Sequence, residues 1–383
     1  MFKKMPALCT SDVIQRGCCI AREVSRRQFL KNVSALGAAV IGGDLLRVVT
    51  RGPSQSWAAT SQTSHTLAAS PKTVHWGHYD SRIAPVLRIN PGDVVTITSV
   101  HGPAPVPASL YAAGGIPSEQ IPQALKDIER EVKDKGPGPH ILTGPIYIDG
   151  AEPGDILEVH IKDIKLTAPF GYNLNWPGKG TIPEDFPYTA LRILRMNLQK
   201  MTSEVAPGVV IPLSPFYGSM GVAPPAIMGK FSSVPPGIHG GNLDIKEFVA
   251  GTILYLPVHI KGALFSVGDM HAVQGDGEVN LTAIEATETI GTFQLFVRKG
   301  KRLVWPRGET PTHIITVGFD EDLDIAAKMA VRETINYLHE EKGVSRENAY
   351  MLCSIAVDLH IAQLVNGVKG IYAMLPKNIF VKK

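Results

Sequence analysis

Apolar and polar residues alternate over residues 86–98 and again over 145–161. In the first stretch, Val86-Leu87-Arg88-Ile89 and Val94-Val95-Thr96-Ile97-Thr98 flank Pro91-Gly92-Asp93. In the second, Ile146-Tyr147-Ile148 and Ile156-Leu157-Glu158-Val159-His160-Ile161 flank Pro153-Gly154-Asp155. A period of two predicts half-buried strands. Proline presets each turn and glycine supplies its positive φ. Phe248 to Leu256, around Ala250-Gly251, reads as a third unit of the same kind. Residues 101–140 read as an insertion with one amphipathic helix, Ser118 to Lys133, and residues 171–186 as an aromatic, Pro/Gly-rich loop. Clear helical spacing comes only near the end. Leu323, Ala326, Ala327, Ala330, Ile335 and Leu338 mark a helix from Asp322 to Glu341, stopped by Gly343. Ser345 starts a second helix, expected to run to about Gln363 or Leu364. The predicted fold is mainly β (α+β): a β-sandwich-like body of repeated hairpins with a C-terminal helical pair.

The first 59 residues follow a different pattern. Ser25-Arg26-Arg27-Gln28-Phe29-Leu30-Lys31 precedes an apolar, small-residue run from Val33 to Ile41, and Ser56-Trp57-Ala58-Ala59 offers a cleavage site. That order predicts a twin-arginine (Tat) signal peptide over 1–59 and a periplasmic or extracellular mature protein. The apolar run is too short and interrupted to span a bilayer, so no membrane span is expected in the mature chain. The remainder divides into an N-terminal β-sandwich region with the loop insertion, 60–236, and residues 237–383, which hold a metal or active-site β region and the C-terminal α+β part.

The leader also changes the charge. It carries nine Lys+Arg against three Asp+Glu, and the rest carries 29 against 32. The whole-chain net charge of +3 therefore belongs to the leader. A mature chain at −3 has no basic excess for a phosphate backbone, so nucleic acid is not an expected partner. Three of the four cysteines, Cys9, Cys18 and Cys19, fall in the leader, and Cys353 alone remains. No intramolecular disulfide can form in the mature chain. A homo-oligomer stays open.

The densest chemistry lies in Gly268-Asp269-Met270-His271-Ala272-Val273-Gln274-Gly275-Asp276-Gly277-Glu278, with His239-Gly240-Gly241-Asn242-Leu243-Asp244 upstream. Imidazoles and carboxylates among flexible glycines suit a divalent metal ion, zinc ahead of calcium or another divalent ion. No Gly-x-Ser-x-Gly elbow or dinucleotide fingerprint is present. Cys353 lies in an apolar segment and reads as a small core residue.

These two clusters, with Leu142-Thr143-Gly144-Pro145, Met220-Gly221-Val222-Ala223-Pro224 and the Asn366-Gly367 to Lys377 tail, resemble the acetamidase/formamidase family, in its acetamidase-like branch. The resemblance covers most of residues 73–377. It implies metal-dependent hydrolysis of a small linear amide to a carboxylate and ammonia on a β-sandwich-like scaffold. Ser99-Val100-His101-Gly102 stands where some relatives place an acid. An exported copy points to an amide other than acetamide.

Amide hydrolysis needs an activated water, a polarised carbonyl and a proton for the leaving nitrogen. His239, Asp244, Asp269 and His271 are the candidate metal ligands. Asp269 and His271 are two apart, hence on one face of a strand. Glu278 is the candidate general base and acid, or else a further ligand. Asn242 would polarise the carbonyl or orient a ligand. Asp276 would bind metal or substrate, or only shape its turn. His140 is a candidate for the substrate pocket, and Trp176 for its wall. The alternative is a non-catalytic exported protein binding a metal or small molecule on the same scaffold; a metal hydrolase of another carbonyl substrate is a third reading.

Overall fold

In the computed structural model, residues 62–381 are described. The expected leader and its cleavage site lie outside them, as do Cys9, Cys18 and Cys19. Two large sheets make up the body. The nine-stranded sheet runs in space from Ser64–Ala68 through Val94–Val100, Glu288–Arg298 and Ile156–Leu166. It continues through Ile253–Pro257, Arg307–Glu309, His313–Asp320 and Lys369–Pro376 to the edge strand Asp358–Gln363. The eleven-stranded sheet is built around Phe265–Val273, which pairs with Phe216–Gly221, Ile284–Ala286 and Ile141–Ile148. Both sheets draw strands from either side of residue 236.

One hydrophobic core lies between them. Ile97, Val159, Leu254 and Phe293 of the first sheet meet Ile146, Tyr217, Val267 and Met270 of the second. Their alternation follows from the strand period, since residues two apart face the same way. The mainly-β, sandwich-like reading therefore holds.

The two Pro-Gly-Asp turns form as their sequences dictate. Gly92 and Gly154 both sit at φ +94°. The Asp93 carboxylate accepts from the backbone N–H of Asn90, and the Asp155 carboxylate from that of Glu152. Their topology departs from simple hairpins. Leu87–Ile89 and Ile141–Ile148 lie in the eleven-stranded sheet, whereas Val94–Val100 and Ile156–Leu166, just past each turn, lie in the nine-stranded one. Each turn is a corner that carries the chain across the core. In the third unit only the second arm, Ile253–Pro257, is a strand.

The C-terminal pair is present. Leu323–Lys342 is capped by the Asp322 carboxylate, which accepts from the N–H groups of Asp324 and Ile325, and ends at Gly343 in the left-handed region. The second helix, Arg346–Ala356, is shorter than its sequence suggests. Asp358–Gln363 is instead an edge strand paired with Lys369–Pro376. Val357 turns extended, and ladder pairing outweighs the local apolar spacing. The insertion holds two helices where the sequence suggests one, Pro107–Ala113 and Gln123–Glu131, with only a 3₁₀ turn at Ser118–Gln120, because Pro122 has no N–H to continue a helix. Among the described residues, no helix is long and apolar enough to cross a membrane.

Candidate active site

The strand Phe265–Val273 brings the chemistry together. Asp269 takes φ +54°, unusual for a residue with a Cβ. Its carboxylate and the His271 imidazole nevertheless reach the same space, with Asp269 Oδ2 3.5 Å from His271 Nε2. The neighbouring strand supplies Glu285, paired with His271 across the ladder and 3.3 Å from its Nε2. On the other side lies Gly218. A Cβ there would stand 2.6 Å from Asp244 Oδ1 and from Asp269 Oδ2, and 2.9 Å from His271 Cε1. The missing side chain of Gly218 is the space these groups occupy.

Two trios result. His101, Asp269 and Glu285 form one, and Asp244, His271 and Glu278 the other; within each trio the donor atoms lie within 4.8 Å of one another. All six residues are buried. Four of them, His101, Asp269, Glu278 and Glu285, floor a pocket of ≈ 450 Å³ that also exposes His140, Asn242, Tyr172 and Asn366, with Asp244 and His271 directly behind.

Hydrogen bonds aim one atom of each group inward. Gln274 donates its amide to the carbonyls of Asp244 and Ala362, which leaves its Oε1 to accept from His271 Nδ1 at 2.9 Å. His271 Nε2 is then bare. Asp244 Oδ2 accepts from Asn242 and Asn366, and Oδ1 is bare. Glu285 Oε1 accepts from the Ala283 N–H, and Oε2 is bare. The Asn242 carbonyl accepts from the Ser219 hydroxyl, so its amide is fixed as the donor to Asp244. His140 Nδ1 donates to the Ser233 carbonyl and turns Nε2 toward Asp269 Oδ1, 3.6 Å away. His101 Nε2 lies 3.2 Å from the Tyr172 hydroxyl and 3.7 Å from both Asp269 and Glu285.

Crowded buried carboxylates cannot all be charged without compensation. Burial, then the charge of Asp269, pushes Asp244 up to about 8. Burial and Asp244 push Glu278 well above the usual carboxylate range. Burial opposes the charges of both Asp269 and His271. For Asp269, the neighbouring His140 and His271 outweigh it and hold the carboxyl below its ordinary value. For His271, Glu285 and Asp269 outweigh it and raise the imidazole well above its own. Buried, unpartnered atoms and carboxylates forced toward protonation are what a divalent cation would satisfy. Bare Nε2 and carboxylate oxygens are the donor types such an ion takes, and the atoms that hold their other ends are the outer support such ligands need.

Of the residues singled out in the sequence, Asp244, Asp269, His271, Glu278, Asn242 and His140 converge here. Trp176 stands at the rim, 45% exposed. His239 does not join them. Its buried ring packs against Tyr79 and Phe231, each 4.9 Å between centroids, and no carboxylate among the described residues lies within ion-pair distance of it. Gly240 at φ +84° and Gly241 at φ +79° turn the chain between His239 and Asp244. Asp276 faces away, bound to His360, Lys246 and Tyr372. Glu285 is not marked by either sequence cluster; its one local signal is an acid between Ile284 and Ala286. His101 stood out only as a departure from relatives, and Gln274 and Asn366 are revealed only by the contacts they make.

A two-sheet β body with a buried histidine–carboxylate centre beneath an open pocket defines the class. The profile of the Acetamidase/Formamidase family matches residues 126–232 and 226–382, and the chain belongs to that family. It is 28% identical over 299 residues to a formamidase of Methylophilus methylotrophus, covering 59% of this chain and 73% of that one. It is 30% identical over 213 residues to an acetamidase of Mycolicibacterium smegmatis, covering 40% of this chain and 52% of that one. The crystal structure of an acetamidase from Bacillus halodurans superimposes with a TM-score of 0.68 at 30% identity, covering 82% of this chain and 98% of the other.

Proposed function

We propose that this protein hydrolyses the carbon–nitrogen bond of linear amides, releasing a carboxylate and ammonia, and that it requires a divalent metal ion, zinc ahead of calcium. The observation that carries the metal requirement is a run of three bare, buried donors, each on a group anchored at its other end: His271 Nε2 lies 3.3 Å from Glu285 Oε2 and shares its trio with Asp244, whose Oδ1 is bare. Asp244, Asp269, His271 and Glu285 are the holding residues, with His101 completing the set. A bound divalent ion supplies Lewis acidity at the pocket floor.

The protein's own groups do the rest. Glu278 lines the pocket, and its carboxylate accepts no hydrogen bond among the described residues. It is placed to take a proton from the attacking water and return it to the departing nitrogen. Burial and the charge of Asp244 raise its affinity for protons, and a carboxyl in this role must accept a proton and later release it. Asn242 orients Asp244 with one N–H of its amide while its carbonyl accepts from Ser219, and its second N–H remains for a substrate in the pocket it lines. With Nδ1 donating to Ser233, His140 Nε2 is left to accept from the N–H of a substrate amide at the pocket side. The amide enters over Trp176.

Ammonia release from a panel of primary amides, with and without chelator, tests the reading. Chelator-sensitive release supports it, and chelator-insensitive turnover removes the metal from it. We also propose export by the Tat route, supported by Arg26-Arg27 and the apolar run that follows. Changing both arginines to lysine is expected to retain the precursor in the cytoplasm; normal export of that variant would remove the assignment.

A further inference from the structure

We infer that the preferred amide carries an apolar acyl group larger than acetyl, such as an arylalkyl or medium-chain alkyl group; this rests on the amidase reading above. The reactive groups occupy only the floor of the ≈ 450 Å³ pocket. Its apolar walls are Pro105 and Pro139 from the insertion, Leu174 in the strand Phe170–Asn175 and Trp176 just past it, and Val234 and Leu281 from two further loops, with Lys179 and Thr282 as the polar part of the lining. Pockets of about 300–1,000 Å³ hold drug-sized ligands. Acetamide has a single methyl on its carbonyl and would leave most of that wall in contact with water.

The polarity of the pocket fixes the orientation. The carboxamide must go to the floor, where its oxygen and nitrogen find partners in place of the water they lose. The acyl group then projects along the walls, where each buried methylene adds selectivity. In an apolar pocket one methylene is worth about tenfold or more. The walls come from parts of the chain outside the catalytic strand, so the same floor chemistry is compatible with a wide or a narrow pocket. In this chain it is wide.

The test compares kcat/KM for acetamide, hexanamide and phenylacetamide on the purified protein reconstituted with zinc, with ammonia as the readout. The inference expects the two larger amides to exceed acetamide by about tenfold or more. Trp176→Ala and Val234→Asp should each reduce the ratio of phenylacetamide to acetamide. Because both substrates are measured on one sample, that ratio is independent of the fraction correctly folded. Acetamide turned over best, with the larger amides poorer, would overturn the inference and leave the amidase reading standing. Unchanged ratios in both variants would also overturn it. If no amide of any size releases ammonia, with zinc or with calcium supplied, the amidase reading itself falls and the inference with it.

Discussion

The proton carrier and the holding groups of this site can be separated residue by residue. Glu278→Gln keeps shape and hydrogen-bonding capacity but cannot carry a proton at neutral pH. Metal content is expected to stay near normal while kcat falls on the order of 10²–10⁴-fold. A parallel fall in metal content would make Glu278 a ligand, which its place in the trio with Asp244 and His271 also permits. Asp269→Ala and His271→Ala should lower metal content and turnover together, because each removes a donor from the buried centre. Metal analysis and rate on the same samples decide the matter; full metal and full rate in either variant would leave that residue a purely structural part. At this scale the sequence was a fair guide where neighbours lie on one strand. Asp269 and His271 do reach one space, as their spacing suggests, although Asp269 at φ +54° leaves regular strand geometry to do so. The guide failed across glycines: His239 and Asp244 look like one motif, and the paired positive-φ turns at Gly240 and Gly241 send them apart.

At the scale of elements, the catalytic strand depends on an absent side chain. Gly218 lies in Phe216–Gly221, directly against Asp244, Asp269 and His271. Gly218→Ala would press a methyl to within 2.6 Å of two carboxylate oxygens, closer than real contacts allow, so those groups must move. Turnover is expected to drop at least tenfold with the cooperative thermal transition retained. A comparison variant, Gly275→Ala, meets open space and should stay within about twofold. Equal activity in the two would mean that the donors shift without consequence. Strands and turns were legible from alternation and Pro-Gly-Asp spacing. Which sheet each strand joins was not, because the corner at Gly92 and the one at Gly154 carry no local mark of whether the chain folds back or crosses the core. The strand Asp358–Gln363 is hidden in the sequence for a related reason, since its pairing partner lies further on in the chain.

At the scale of the whole molecule, the site is a cost that the surrounding core supports. The centre is closed only because residues from the first insertion, the middle strands and the C-terminal tail meet there: His101 and His140, then Asp244 to Glu285, then Asn366. Glu285, Gln274 and Asn366 could not be recognised in advance, because their meaning is a set of long-range contacts. The same closure makes stability depend on pH and on the ion. In metal-free protein, Asp244 titrates near 8 against an ordinary value of 3.8. A carboxyl raised in this way contributes stability that is fully present below its unfolded pKa and lost as pH rises through about 8. Glu278, raised in the same direction, and His271, raised above 6.5, add to the same trend. Asp269, held low, keeps its contribution at all pH values above the ordinary carboxylate range. The metal-free protein should therefore melt at progressively lower temperature as pH is raised from about 5 to 9. Adding zinc should raise the melting temperature most at the alkaline end, since the ion replaces protons that the carboxylates can no longer keep. Calorimetry with and without chelator across that range checks both statements. A melting temperature that rises with pH in chelator, or a zinc effect that is largest at acid pH, would mean that the buried carboxylates are compensated by something other than a proton or a metal ion.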